Sequence, residues 1–138
     1  MSTSLGLQLG LLLLTVFLIR RFFTSATRAM ASPETIKKVK ALIQENNIFI
    51  ASKTYCPYCQ ATLKTIFEDK KVPKTSALVL QLNQMEDGAE IQEALTEITG
   101  QRTVPNIFIL GEHIGGNSDL QALEASGKLD ALLEKALA

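Results

Sequence analysis

Lys53-Thr54-Tyr55-Cys56-Pro57-Tyr58-Cys59 holds both cysteines of the chain. An apolar run, Ile48-Phe49-Ile50-Ala51, precedes it, and a segment follows in which Leu63, Ile66 and Phe67 share one helical face. Strand, Cys-x-x-Cys turn and helix in that order form the layout of a thiol–disulfide redox site. The spacing serves the chemistry. A thiolate at a helix start meets unpaired backbone N–H groups and the positive end of the helix dipole. Cys56 is therefore expected to ionise below the free-thiol value of roughly 8.5. Cys59, nearly one turn later, is close enough to form a disulfide with it. Pro57 suits the first helical turn, where its missing N–H leaves no bond unmade. Lys53 adds a cation three residues before Cys56.

Other uses of two cysteines fit less well. A structural zinc site needs about four ligands, and the chain offers two cysteines and one histidine, His113. A structural disulfide between such near neighbours would constrain little of the unfolded chain. Cys56, His113 and Asn117 are the residue types of a cysteine hydrolase, but the local signature around the cysteine is missing. His113 reads instead as an exposed residue of the last strand.

The 138 residues give room for one domain of ordinary size. Basic and acidic side chains number 14 each. Three of the basic ones, Arg20, Arg21 and Arg28, lie in residues 1–31, which contain no acid. Residues 32–138 thus carry eleven basic against fourteen acidic groups, a net of −3. An acidic domain without a basic cluster argues against nucleic acid as a partner. Two cysteines confined to one motif are unlike a secreted disulfide framework and point to a reducing compartment.

Leu5 to Ile19 is the most apolar stretch, interrupted by Gly6, Gln8 and Gly10. As a helix it rises about 22 Å, short of a hydrocarbon core of roughly 30 Å. Phe22 and Phe23 extend a possible membrane contact to residues 5–23. Arg20 and Arg21 follow the apolar run, an order that keeps the rest of the chain on the cytosolic side if the segment inserts. Arg20 to Ser32 has the Arg, Ser, Thr and Ala composition, free of acids, of a mitochondrial presequence. Ala29-Met30-Ala31 matches a small-x-small cleavage pattern, although far from the apolar run. The segment reads first as mitochondrial targeting or anchoring, second as a cytosol-facing anchor and third as a secretory signal. Residues 1–31 are set apart from a domain at 32–138. Met30, just before the first helix cap, is a possible internal start, which would give mitochondrial and cytoplasmic forms.

Ser32-Pro33-Glu34 marks a helix start, with Ile36, Val39, Leu42 and Ile43 on its apolar face and Asn46-Asn47 at its end. Ile48 to Ser52 is a strand covered on both faces. Lys71-Val72-Pro73 ends the helix after the cysteines, and Ala77 to Leu82 forms the second strand. A helix from Glu86 to Ile98 turns Ile91, Leu95 and Ile98 inward and stops at Gly100. Asn106 to Leu110 and Glu112 to Ile114 make a tight hairpin about Gly111. Asn117-Ser118-Asp119 caps a helix carrying Leu120 and Leu123. Beyond Gly127 a last helix bears Leu129, Leu132, Leu133 and Leu137. These elements assemble into an α/β fold, a four-stranded mixed sheet flanked by helices.

Two downstream blocks have plain readings of their own. Pro105 in Thr103-Val104-Pro105 marks a strand entrance. Gly115-Gly116-Asn117-Ser118-Asp119 is a turn followed by a helix start, which is also a ready anion site. Together with Cys56-Pro57-Tyr58-Cys59, however, these blocks resemble dithiol glutaredoxins of the yeast type, from about Ser32 to the C-terminus.

The resemblance implies a thioredoxin-like fold and a glutathione-dependent thiol–disulfide oxidoreductase, with Cys56 and Cys59 catalytic and glutathione as co-substrate. It implies that Pro105 is cis, that the Val104 backbone pairs with the cysteinyl part of glutathione, and that Thr103 belongs to the same wall. The γ-glutamyl end would sit at Gly116, Asn117, Ser118 and Asp119. Lys53, Gln92 and Arg102 would hold the glycine carboxylate, and Tyr55 and Tyr58 would wall the cleft. Partners would be glutathionylated and disulfide-bonded proteins, the domain would be monomeric, and no metal is expected. Pro57-Tyr58 disfavours thioredoxin-like reduction through a reductase. The alternative from another class is an iron–sulfur carrier, with Cys56 and glutathione as cluster ligands.

Overall fold

A computed structural model describes residues 3–23 and 29–138. Its first element, α1 (Thr3–Phe23), carries Leu7, Leu9, Leu11 to Leu14, Val16 and Leu18, all exposed. The helix runs past both ends of the expected apolar core at Leu5 and Ile19. No helix among the described residues is long and apolar enough to cross a membrane. Residues 24–28, including the presequence-like stretch around Arg28, lie outside the described residues.

The remaining elements are α2 (Pro33–Glu45), β1 (Ile48–Ser52), α3 (Pro57–Leu63), β2 (Leu78–Gln81), α4 (Gly88–Thr99), β3 (Asn106–Ile109), β4 (Glu112–Gly115), α5 (Asn117–Ala125) and α6 (Lys128–Leu137). The four strands form one mixed sheet in the order β2-β1-β3-β4. β1 runs parallel to β2 and antiparallel to β3, and β3 pairs antiparallel with β4.

All five residues of β1 are buried, as a strand covered on both sides requires. Alternation divides them. Phe49 and Ala51 join Phe108 in a core with Val39, Ile43, Ile91 and Leu95 of α2 and α4. Ile48 and Ile50 join Ile107 and Ile109 in a second core, with Ile66, Leu120, Leu129 and Leu133. Phe49 meets Phe108 edge to face, ring centroids 5.8 Å apart.

The helix start at Ser32 is as expected: its Oγ accepts from Thr35 N at 3.2 Å, and Pro33 opens the helix. Gly100 ends α4 in the left-handed region. Elsewhere the boundaries move. β2 stops at Gln81 because Leu82 begins a short 3₁₀ turn, Leu82–Gln84, and turns its side chain into the first core. α4 starts at Gly88 and not at Glu86. A Cβ at Gly88 would lie 1.8 Å from the Leu82 carbonyl oxygen, so that turn seats directly on the helix start. β3 ends at Ile109, since Leu110 (φ 54°) and Gly111 (φ 76°) form the hairpin turn.

α3 continues as a π-helix, Lys64–Asp69. At its end Lys70 Nζ bridges Glu124 at 2.6 Å and Asp130 at 2.8 Å, tying it to α5 and α6. In α6 it is Ala136 that is buried, whereas Leu137 is largely exposed. Ala31, expected to lie outside the fold, is buried in the first core, and its N–H donates to Glu97 Oε1 at 3.0 Å.

Candidate active site

Cys56 sits at the N-cap of α3 with extended backbone, and Pro57 fills the first helical position. Its Sγ accepts from the backbone N–H of Cys59 at 3.4 Å. As a thiol it also faces the Val104 carbonyl oxygen, 3.7 Å away. Partial burial works against ionisation of Cys56. The N–H and thiol of Cys59, the Tyr58 N–H and the Lys53 charge outweigh it and hold the thiol below its ordinary range. Among these influences the Lys53 charge comes after the hydrogen bonds.

Cys59 is different. It is fully buried, and burial pushes its thiol up, against the Lys53 N–H that donates to its sulfur at 3.5 Å. The two sulfurs are thus shifted in opposite directions, half-buried Cys56 towards the thiolate and buried Cys59 away from it.

The segment that carries Cys56 is held by residues without a sequence signal. Thr54 N–H donates to Asn83 Oδ1 at 3.0 Å, Asn83 Nδ2 donates to Thr54 Oγ1 at 2.6 Å, and Gln60 Nε2 donates to the Thr54 carbonyl at 3.0 Å. Asn83 comes from the 3₁₀ turn after β2, 29 residues away.

Tyr58, Thr103, Val104, Pro105, Gly116, Asn117 and Ser118 line one cleft of about 410 Å³. The structure thus brings together most of the residues assigned to glutathione, and the Val104–Pro105 bond is cis. A larger groove of about 690 Å³ lies between α3 and β2, lined by Leu63, Phe67, Leu78 and Val79 among others. The smaller cleft is the one next to the thiol, because Val104 is in its wall and faces Cys56.

Tyr55 and Tyr58 are both exposed, on either side of Cys56. Gln92 and Arg102 lie together outside that wall, where Gln92 Nε2 donates to the Arg102 carbonyl at 2.8 Å. Part of Gln92 is thereby committed to holding the loop.

The Gly115–Asp119 block differs in detail from a plain cap. Gly116, and not Asn117, is the N-cap, and Asp119 Oδ2 reaches back to accept from its N–H at 2.8 Å. Gly115 (φ 117°) permits this: a Cβ there would lie 2.2 Å from that carboxylate oxygen. Asn117 Oδ1 accepts from Thr62 Oγ1 at 3.0 Å and Gln121 Nε2 at 3.2 Å, so its side-chain oxygen fastens α5 to α3. Its other groups remain for the cleft. His113 pairs with Asn106 Oδ1 at 2.8 Å and packs on Phe108, an arrangement with no link to Cys56. Burial lowers its pKa, against the nearby Asp119 charge.

Residues 48–114 match the family model described as Glutaredoxin. The chain is 66% identical over 109 residues to Glutaredoxin-1 of Saccharomyces cerevisiae, covering 79% of this chain and 99% of that protein. To Glutaredoxin-C4 of Arabidopsis thaliana it is 41% identical over 126 residues, covering 91% and 89%. Among solved structures, a buckwheat glutaredoxin–glutathione complex superposes with a TM-score of 0.67 at 37% identity, covering 78% of this chain and 97% of that one.

Proposed function

Since this chain belongs to the glutaredoxin family and is a glutathione-dependent thiol–disulfide oxidoreductase, we propose that Cys56 is its nucleophile and Cys59 its resolving thiol. The observation that carries this is the contrast between the two sulfurs. The half-buried Cys56 receives the Cys59 N–H at 3.4 Å and is shifted towards thiolate, whereas the fully buried Cys59 is shifted away from it.

On a protein glutathione mixed disulfide, the Cys56 thiolate attacks the glutathionyl sulfur. The old S–S bond breaks, the protein sulfur leaves as thiolate and takes a proton, and glutathione stays on Cys56. The thiolate of a second glutathione then attacks that glutathionyl sulfur. Glutathione disulfide leaves and the Cys56 thiolate is restored. On a protein disulfide, Cys59 displaces the substrate from Cys56, and two glutathiones reduce the resulting Cys56–Cys59 bridge. Comparison with known proteins favours this reading over an iron–sulfur carrier.

Glutathione lies along the cleft beside Cys56. Its cysteinyl backbone pairs with Val104 next to Thr103 and Pro105, as an added strand pairs with a sheet edge. Its γ-glutamyl carboxylate and amine meet Gly116, Asn117, Ser118 and Asp119, where the first-turn N–H groups of α5 favour an anion. Lys53, Gln92 and Arg102 take the glycine carboxylate, and Tyr55 and Tyr58 flank the sulfur. The buckwheat relative crystallised as a glutathione complex supports glutathione as the ligand.

Residues 1–30 act as a targeting or anchoring segment ahead of the domain, which takes in Ala31 as well as residues 32–138. Initiation at Met1 directs the protein to mitochondria, and initiation at Met30 leaves it in the cytoplasm; contact of residues 5–23 with a membrane facing the cytosol is the second choice. The exposed leucines of α1 support such a role, since an apolar helix surface of that extent calls for cover. The domain works as a monomer.

The test is the release of glutathione disulfide from a glutathionylated peptide plus glutathione by the full chain. Absence of turnover in wild type, or its persistence in Cys56→Ser, would overturn the assignment.

A further inference from the structure

The wall of the cleft that faces Cys56 is held by a side chain to which the reaction gives no role. Gln101 Nε2 donates to the Thr103 carbonyl at 3.0 Å and to the Pro105 carbonyl at 2.9 Å. Val104 is the residue between them. A single amide thus takes up the carbonyls on both sides of Val104 and keeps them from turning into the cleft. Gln101 is itself anchored: its N–H donates to Thr99 Oγ1 at 3.0 Å, and that hydroxyl donates to the Leu95 carbonyl at 2.7 Å in the last turn of α4. The second wall lies close by, since a Cβ at Gly116 would come within 3.9 Å of Gln101 Nε2 and 3.7 Å of the Pro105 oxygen.

We propose that Gln101 is a positioning residue for glutathione, which sets the orientation of the Val104 peptide through the carbonyls on either side of it. The proposal rests on the reading that glutathione pairs with the Val104 backbone. Gln101 would touch neither sulfur nor glutathione. Its effect should therefore fall on KM for glutathione mixed disulfides and not on the thiol chemistry. Two donated hydrogen bonds fix the nature of the group. An amide N–H₂ can serve both carbonyls, whereas a carboxylate would place oxygen against oxygen. Methionine keeps the length and volume but donates nothing.

The experiment compares wild type, Gln101→Met and Gln101→Glu on a glutathionylated peptide, and on the same peptide carrying glutathione N-methylated at its cysteinyl amide. Wild type should show a KM about tenfold higher for the N-methylated substrate, as expected for one lost hydrogen bond in a formed site. Gln101→Met should raise KM for the ordinary substrate about tenfold and Gln101→Glu further, with kcat and the alkylation pKa of Cys56 unchanged. In Gln101→Met the N-methyl penalty should shrink towards onefold, because the peptide it reports on is no longer held. A wild-type KM and an undiminished N-methyl penalty in Gln101→Met, whatever its melting temperature, would overturn the positioning role and leave the Val104 pairing standing. Absence of an N-methyl penalty in wild type would overturn the Val104 pairing and this proposal with it.

Discussion

The backbone N–H of Cys59 donates to the sulfur of Cys56 across 3.4 Å, so the residue we propose as the resolving one also favours the thiolate of the proposed nucleophile. This bond uses the main chain of Cys59 and not its thiol. A side-chain substitution at Cys59 therefore leaves this bond in place and removes only the smaller contribution of its thiol.

Cys56→Ser should abolish reduction of both glutathionylated and disulfide-bonded substrates. Cys59→Ser should retain most deglutathionylation, which needs one thiol plus glutathione, and lose the dithiol route for protein disulfides. Steady-state rates on one substrate of each kind check this. Equal losses in the two variants on a glutathionylated peptide would contradict the assignment.

Lys53→Glu should act on charge. Lys53 is among the groups that lower the Cys56 pKa, after the hydrogen bonds of Cys59 and Tyr58. With the folded-state pKa depressed, the thiolate is present above that value and is lost as pH falls through it. The alkylation profile of wild type should thus rise at a pH below the ordinary thiol value of roughly 8.5. In Lys53→Glu the whole profile should move upward, with a higher KM for glutathionylated substrate if the same cation holds glutathione. A profile that does not move would remove Lys53 from the thiolate's surroundings.

The central parts of the site are legible in the sequence because each rests on a local signal. Cys-x-x-Cys follows from spacing, β1 from an unbroken apolar run, and the start of α2 from Ser32-Pro33. What holds the site together is not legible, for a physical reason. Asn83 reaches Thr54 across 29 residues, and Gln101 binds backbone carbonyls that any amide could bind. Nothing in a lone Asn or Gln announces its partner before the fold exists. The early end of β2 is of the same kind. It depends on Gly88 allowing the Leu82 turn to seat on α4, a contact between residues that show no common periodicity. Ala31 was invisible because burial of one alanine leaves no pattern.

Asn83 offers a test of that support. Asn83→Leu removes both an acceptor for Thr54 N–H and a donor to Thr54 Oγ1 at an exposed site, where water can replace them, so the loss of stability should stay within about 1 kcal/mol. kcat/KM on a glutathionylated peptide should nonetheless fall about three- to tenfold, because small errors in the placement of a reacting group are costly. Asn83→Asp can still accept from both the N–H and the hydroxyl of Thr54, and should lie closer to wild type in melting temperature. Thermal melts and initial rates on the two variants separate support of the loop from general stability.

Met30 provides the last test, and the structure sharpens it. Met30 is exposed at 77%, while Ala31 beside it is buried at 7% with its N–H on Glu97. The next amide, of Ser32, donates to Glu90 Oε1 at 3.0 Å. Among the described residues, the contacts with α4 thus begin one residue after Met30. A chain started at Met30 keeps Ala31 and both amide bonds to α4, and it drops α1 entirely. Its melting temperature and its turnover should match those of the full chain, since exposed terminal residues add little to packing. A chain cut to begin at Ser32 should be measurably less stable, because it loses the buried methyl of Ala31 and the bond to Glu97. In cells, Met30→Leu should remove the short cytoplasmic form and leave the form that begins at Met1. A cytoplasmic pool of the shorter mass that persists undiminished in Met30→Leu must come from processing of the longer chain, and the internal start would then be dropped.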